Sequence, residues 1–155
     1  MINLKKILVP TDFSECSGVA LQYACSLADA FGASIHLFHV LEDPYVHGWT
    51  GEGYVPNLAS FREGMARDAA ERIRKVLSAE DMVKYSVKTS SKFGSPFLEI
   101  LRYAKEEEVD LIVMGTHGRG PVAHVLMGSV AERVVRKAPC PVLTVRQPGH
   151  VFVMP

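Results

Sequence analysis

Short apolar runs alternate with helix-patterned segments along this chain, and that alternation constrains the fold more than any other feature. Leu4 to Val9, Ile35 to Leu41, Asp110 to Met114 and Val142 to Val145 read as strands; the branched, continuous character of the first suits a strand buried on both faces. Between them, Ser14 is placed to cap a helix with the inner stripe Ala20, Ala24, Leu27, Ala28 and Phe31, and Gly32 lies just past its end. Leu58, Phe61, Met65, Ala69, Ile73, Val76 and Leu77 mark a longer amphipathic helix. Val83, Tyr85 and Val87 alternate with more polar neighbours, which predicts an outer strand over Val83 to Thr89, near a sheet edge. Ser95-Pro96 opens a third helix, with Phe97, Ile100, Leu101 and Ala104 inward and Glu106 to Glu108 solvated, and Ser129 to Lys137 is the fourth. Five strands and four helices in this order predict a doubly wound, Rossmann-like α/β fold with a parallel sheet and right-handed crossovers. Ligands of such sheets sit beyond the strands' carboxyl ends where strand order reverses, so if the first and fourth strands are neighbours there, Asp12 and Gly115 face one crevice.

The 155 residues suit one domain, taken as residues 1–146 with a C-terminal tail 147–155. Acidic and basic side chains balance to a formal charge of zero, and no Lys/Arg run exists to neutralise a row of phosphates on a duplex; nucleic acid is not an expected partner. No stretch is apolar enough for a membrane span and no signal-peptide pattern opens the chain, so the expected location is cytoplasmic. Cys16, Cys25 and Cys140 form no Cys-x-x-Cys, and their odd number fits a reducing compartment. Cys16 and Cys25 project to opposite sides of one helix, and Cys140 between two prolines reads as a small buried residue.

The chemistry concentrates after the fourth strand. Met114-Gly115-Thr116-His117-Gly118-Arg119-Gly120 ends an apolar run, and Gly128-Ser129 precedes the last helix. Glycines let backbone N–H groups approach a phosphate, and the next helix N-terminus supplies unsatisfied amides and a positive dipole end. Arg119 and His117 can add side-chain donors, Arg119 the stronger. Ser129-x-x-Glu132 is also a capping box, so one hydroxyl can serve the helix or a phosphate. Asp12, directly after the first strand, can accept from a ribose hydroxyl or an adenine amino group, hold Mg²⁺ through water, or merely cap the turn around Ser14.

The spacing Gly-x2-Gly-x9-Gly-Ser, with Val9-Pro10-Thr11-Asp12-Phe13-Ser14 and the closing Pro139-Cys140-Pro141-Val142-Leu143-Thr144-Val145, resembles the ATP-binding subgroup of the universal stress protein family over nearly the whole chain. The resemblance implies strand order 3-2-1-4-5 in an α/β/α sandwich. It implies that Pro10, Thr11 and Asp12 line a nucleoside pocket, that Val40 offers backbone groups to the adenine edge and that Met114 packs beneath the base. Gly115, His117, Gly118, Arg119, Gly128, Ser129 and Val130 would then hold the phosphates of ATP, with Mg²⁺. It further implies a homodimer through Val142 to Val145 and a stress-response or signalling role.

No Gly-x4-Gly-Lys-Ser/Thr loop, kinase catalytic loop or Gly-x-Ser-x-Gly elbow occurs, and no dedicated catalytic base stands out. A binding module is therefore expected first; a weak ATPase or autophosphorylating enzyme using Ser129, Thr116 or a metal-bound water comes second, and a nucleotide-free interaction protein third. His36 and His39 should point to opposite faces, and His117 and His124 lack a third ligand nearby, so no protein-held metal site is expected. Asp43 to Pro56, with Tyr45, His47, Trp49 and Tyr54, is long for a βα connection and reads as a lid, a partner contact or a plain surface loop. The tail patch Val151 to Met154 reads as a subunit contact or a frayed end.

Overall fold

The structure is a computed structural model and describes residues 1–42, 57–117 and 127–147. Chain order is β1 (Lys6–Pro10), α1 (Glu15–Phe31), β2 (Ser34–Leu41), α2 (Leu58–Arg74), α3 (Ala79–Lys84), β3 (Lys88–Phe93), α4 (Pro96–Glu106), β4 (Leu111–Gly115), α5 (Ser129–Lys137) and β5 (Val142–Val145). The five strands form one sheet in the order β3-β2-β1-β4-β5, every pair parallel. This is the expected doubly wound architecture.

The continuous apolar runs have a direct structural cause. Ile7 and Val9 pack with the α1 residues Ala20, Leu21, Ala24 and Ala28 and with Ile73 of α2, whereas Leu8 packs with Ile100 and Tyr103 of α4 and Val134 of α5. A strand covered on both faces needs apolar side chains at every position. Side chains of β2 divide in the same way: Ile35 and Leu37 face α1 and α2, and Phe38 stacks on Tyr103 at 4.5 Å on the other side.

Helix ends follow their sequence signals in α1. The Ser14 hydroxyl accepts from the Ser17 N–H, and Gly32, at φ 68, returns its N–H to the Ala28 carbonyl. At the start of α4, Ser95 holds the cap position but makes no side-chain cap bond.

Three expectations are corrected. There are five helices, because the segment read as an outer strand from Val83 to Thr89 is divided between α3, a turn and β3. Ser78 caps α3 by accepting from the Asp81 N–H, and Ser86 adopts φ 46, which no strand allows. Tyr85 is buried and Val83 is 80% exposed, so the alternation did not report a shared face. Tertiary contact fixes this turn: the Tyr85 hydroxyl donates to Asp29 of α1 at 3.1 Å and accepts from Lys84 at 2.9 Å. The edge position itself is right, since β3 ends the sheet. Second, Phe31, Leu58 and Phe61 are exposed although they continue inner stripes; each lies in an end turn of its helix. Third, Cys140 is half-buried; all three cysteines are free. Of the acidic run, Glu106 and Glu107 pair with Lys92 and Lys88 of the edge strand.

Candidate functional site

A crevice of ≈ 850 Å³ opens across the carboxyl ends of the central strands, between β1, whose crossover leads to β2 on one side, and β4, whose crossover leads to β5 on the other. Open α/β sheets place their ligands there, because the two crossovers diverge and leave strand ends uncovered.

The loop after β1 is held by its own hydrogen bonds. The Thr11 N–H donates to the Phe38 carbonyl at 2.8 Å, and the Thr11 carbonyl lies 2.7 Å from His39 Nδ1, which must therefore carry the proton. Ser17 Oγ gives its hydrogen to the Ser14 carbonyl, so Thr11 Oγ1 donates to Ser17 Oγ at 3.2 Å and accepts from the Phe13 N–H at 3.0 Å. Asp12 Oδ1 accepts from the Ser14 N–H at 2.9 Å, which is the turn-capping role open to it from sequence. Phe13 adopts φ 63, a conformation unfavourable for a bulky side chain, and these bonds hold it there. Its ring lies 4.5 Å from that of His39 and 4.0 Å beneath the Arg72 guanidinium.

The glycine end is built differently. A Cβ on Gly115 would stand 2.7 Å from Cys16 Sγ and 3.1 Å from the Cys16 carbonyl carbon, so glycine is required for α1 to pack on β4. The Thr116 N–H donates to the Val145 carbonyl at 2.9 Å and the Gly128 N–H to the Thr116 carbonyl at 2.6 Å, which ties the base of the connection between β4 and α5. His117 Nδ1 lies 2.9 Å from Thr116 Oγ1.

That tie also overturns the capping box. Gly128, extended at φ -66 and ψ 153, is the N-cap of α5, and Ser129 is its first helical residue with no side-chain cap bond. Because the Gly128 N–H is anchored to Thr116, the cap falls one residue earlier than the sequence suggested, and Glu132 pairs instead with Arg136 at 2.9 Å. The N–H groups of Ser129, Val130 and Ala131 are first-turn donors that a helix cannot satisfy itself, and among the described residues no side chain caps them. They stand where Ser129, Val130 and Ala131 line the crevice.

Of the residues singled out from sequence, Pro10, Thr11, Asp12, Val40, Met114, Gly115, His117, Gly128, Ser129 and Val130 line this one crevice. Gly118 and Arg119 lie outside the described residues, as do the segment 43–56, His124 and all of the tail beyond Gln147. Thr116, a candidate phosphoryl acceptor from sequence, also lines it, and sequence reasoning missed Phe13, Ser17, His39, Asp68 and Arg72. Asp68 and Arg72 could have been found, since they flank the predicted inward positions Met65 and Ala69 at helical spacing. His36 and His39 lie on opposite faces: His36 Nδ1 meets the Tyr103 hydroxyl at 3.1 Å beneath α4. Burial, with Lys88 and Lys6 nearby, pushes His36 below its ordinary value against a smaller opposing effect of Glu107. Among the described residues no group of three or more His, Cys, Asp or Glu side chains could hold a metal ion, and no helix is long and apolar enough to cross a membrane.

The sequence profile of the Universal stress protein family matches residues 3–146. Universal stress protein MJ0531 of Methanocaldococcus jannaschii is 37% identical over 145 residues, spanning 93% of this chain and 83% of that protein. Universal stress protein MJ0577 of the same organism is 34% identical over 160 residues, spanning 94% and 97%. The solved structure of MJ0577 matches with a TM-score of 0.76 at 32% identity, over 96% of this chain and 99% of that one. Universal stress protein UspA from Lactobacillus plantarum matches at 0.73 and 29% identity, over 94% and 100%.

Proposed function

The chain belongs to the universal stress protein family, and from that premise we propose that its crevice binds ATP with Mg²⁺ and that the protein acts in the cytoplasm as a homodimeric stress-response or signalling module. The observation that carries this reading is the uncapped N-terminus of α5 facing the crevice at the strand-order switch. In it the phosphates take the N–H groups of Ser129, Val130 and Ala131 and the Ser129 hydroxyl, with Gly118, His117 and Arg119 completing the cradle. Asp12 meets the ribose, Val40 offers its backbone to the adenine edge, and Met114, 6% exposed at the end of β4, packs beneath the base. Thr11 contributes position alone, because its N–H, carbonyl and hydroxyl are all engaged within the protein. With no protein cluster able to hold a cation among the described residues, Mg²⁺ would be carried chiefly by phosphate oxygens and water, beside Asp12.

Three or four charge-assisted hydrogen bonds at about 1.5–3 kcal/mol each, together with adenine stacking, can reach the ~8 kcal/mol of a micromolar site. Dimerisation through β5 is supported by its place at the sheet edge and by the half-open Val142, Leu143 and Thr144 surface; a monodisperse monomer in sedimentation at high micromolar concentration would reject it.

The test is calorimetric titration of nucleotide-stripped protein with ATP, ADP and AMP in Mg²⁺, beside Ser129→Ala. Micromolar ATP binding that weakens about tenfold in the variant supports the site, on the usual strength of a bond to a charged group; no binding of any of the three overturns it. One observation favours a second reading, slow phosphoryl transfer to Ser129: its exposed hydroxyl is not engaged in capping. Protein labelling by γ-labelled ATP, lost in Ser129→Ala, would establish that reading, and no labelling above a heat-treated control would end it.

A further inference from the structure

His36 is buried in β2 on the α4 side of the sheet, where Leu8, Phe38, Ile100, Tyr103 and Met114 form one apolar cluster. Its Nδ1 lies 3.1 Å from the Tyr103 hydroxyl, and the two rings meet edge-on with centroids 5.9 Å apart. Tyr103 is 3% exposed, and its hydroxyl has no other partner among the described residues. A phenol hydrogen enclosed in this way needs an acceptor, so both groups are satisfied when the hydroxyl donates to an unprotonated Nδ1. An imidazolium carries hydrogen on both nitrogens. Protonation would turn Nδ1 into a donor and leave the Tyr103 hydrogen without a described acceptor, which is costly in a buried place.

The charges around the ring do not welcome a proton either. Lys6 of β1 and Lys88 of β3 flank it, with Lys88 directly opposite His36 in the β2–β3 register, and α4 brings Tyr103 and Glu107. Glu107 is already held by Lys88 at 2.7 Å, so His36 could gain that carboxylate only at the lysine's expense. Burial and the two lysines accordingly resist the imidazolium. Tyr103 connects this arrangement to the crevice. Its ring stacks on Phe38 at 4.5 Å and 25°. Phe38 lines the crevice with Ile100, Val40 and Met114, where the proposed adenine sits, and its carbonyl takes the Thr11 N–H at 2.8 Å.

We propose that His36 and Tyr103 form an acid-sensitive latch beneath the crevice: a proton arriving at His36 Nδ1 displaces the Tyr103 hydrogen, loosens the stack of Tyr103 on Phe38 and weakens the hold on the nucleotide. This inference rests on the nucleotide-binding reading above. Linkage makes the coupling reciprocal, so a nucleotide seated on this layer resists the rearrangement and drives His36 toward its neutral form. Phosphate charge acting at a distance would do the opposite and favour the imidazolium. The sign of the effect therefore separates the latch from plain electrostatics.

The test is NMR titration of the His36 ring in the full chain, with and without saturating ATP and Mg²⁺, the resonance being assigned by its loss in His36→Gln. The expected result is a midpoint lowered by ATP by about half a pH unit, equivalent to about a threefold change in ATP affinity. A midpoint that is unchanged or raised, or a ring that does not titrate before the chain unfolds, overturns the latch and leaves the nucleotide site standing. Calorimetry supplies a second readout. Between about pH 7.5 and about pH 5.5, wild type should lose about threefold more ATP affinity than His36→Gln, the nucleotide's own ionisation being common to both. Parallel losses overturn the latch likewise. Failure of wild type to bind ATP at either pH overturns the nucleotide reading itself, and this inference with it.

Discussion

On the β1 side of the crevice, the N–H, carbonyl and hydroxyl of Thr11 are all engaged inside the protein, whereas on the α5 side the first-turn amides have no side-chain cap among the described residues. The β1 loop is thus a finished structure with a strained Phe13 at its centre. The helix end is an unfinished one, and completing it with an anion costs the fold nothing. A site residue on the first side should therefore act through stability, and one on the second through binding.

Mutations can break that contrast. The largest effect is expected from Gly115→Val, whose Cβ falls 2.7 Å from Cys16 Sγ; chemical denaturation should report a loss of about 3 kcal/mol or more. Loss of ATP binding in that variant would say little about phosphate, because the packing of α1 on β4 fails first. Gly115→Ala paired with Cys16→Gly should recover much of the stability that Gly115→Ala loses alone, and no recovery would show that the close approach is not the cause.

Thr11→Val comes next. It leaves the half-buried Phe13 N–H without its acceptor and removes the hydrogen that Ser17 Oγ accepts, for an expected loss of about 2 kcal/mol in the same denaturation measurement. Should Thr11→Val keep wild-type stability and lose ATP binding, the division between the two sides would be wrong. Ser129→Ala sharpens the other half. With no cap bond to lose, stability should stay within about 0.5 kcal/mol while ATP affinity drops; a cost near that of an N-cap loss would mean that the hydroxyl serves the helix after all.

The smallest effect lies away from both sides, at His36. It is buried against Tyr103, whose hydroxyl lies 3.1 Å from His36 Nδ1 and is pushed up to about 12 by burial and by Glu107. The folded state holds His36 below its ordinary 6.5, so in that window the unfolded chain binds more protons. Stability is then full above the ordinary value and declines as pH falls through it toward the folded one. Denaturation midpoints across that range should show the slope, His36→Gln should flatten it, and an unchanged slope would assign the dependence elsewhere.

Much of this was legible from local pattern. The helix Ser129–Lys137 and the strand Val142–Val145 have the bounds the sequence suggested, because proline, glycine and a strong period punctuate them. The segment around Tyr85 was not legible: its alternation is genuine, but a hydrogen bond from Tyr85 to Asp29, far away in sequence, decides which side is buried. The crevice lining divides on the same principle. Residues at strand ends were found because strand ends are visible as motif boundaries, whereas Arg72, one helical turn from inward-facing positions, gave no signal of the Phe13 ring it meets across the crevice.

By itself the sequence determined the alternation of elements, the apolar strands that demand cover on both faces, and the place of the glycine-rich segment between the fourth strand and the last helix. These depend on residue type and near neighbours, which short-range sterics and burial dictate directly. Only the tertiary structure decided that Gly115 answers to Cys16, that Gly128 rather than Ser129 caps α5, and that Asp68 and Arg72 share a wall with Asp12. Each of those facts depends on a contact between segments remote in the chain, and such contacts exist only once the sheet has brought them together.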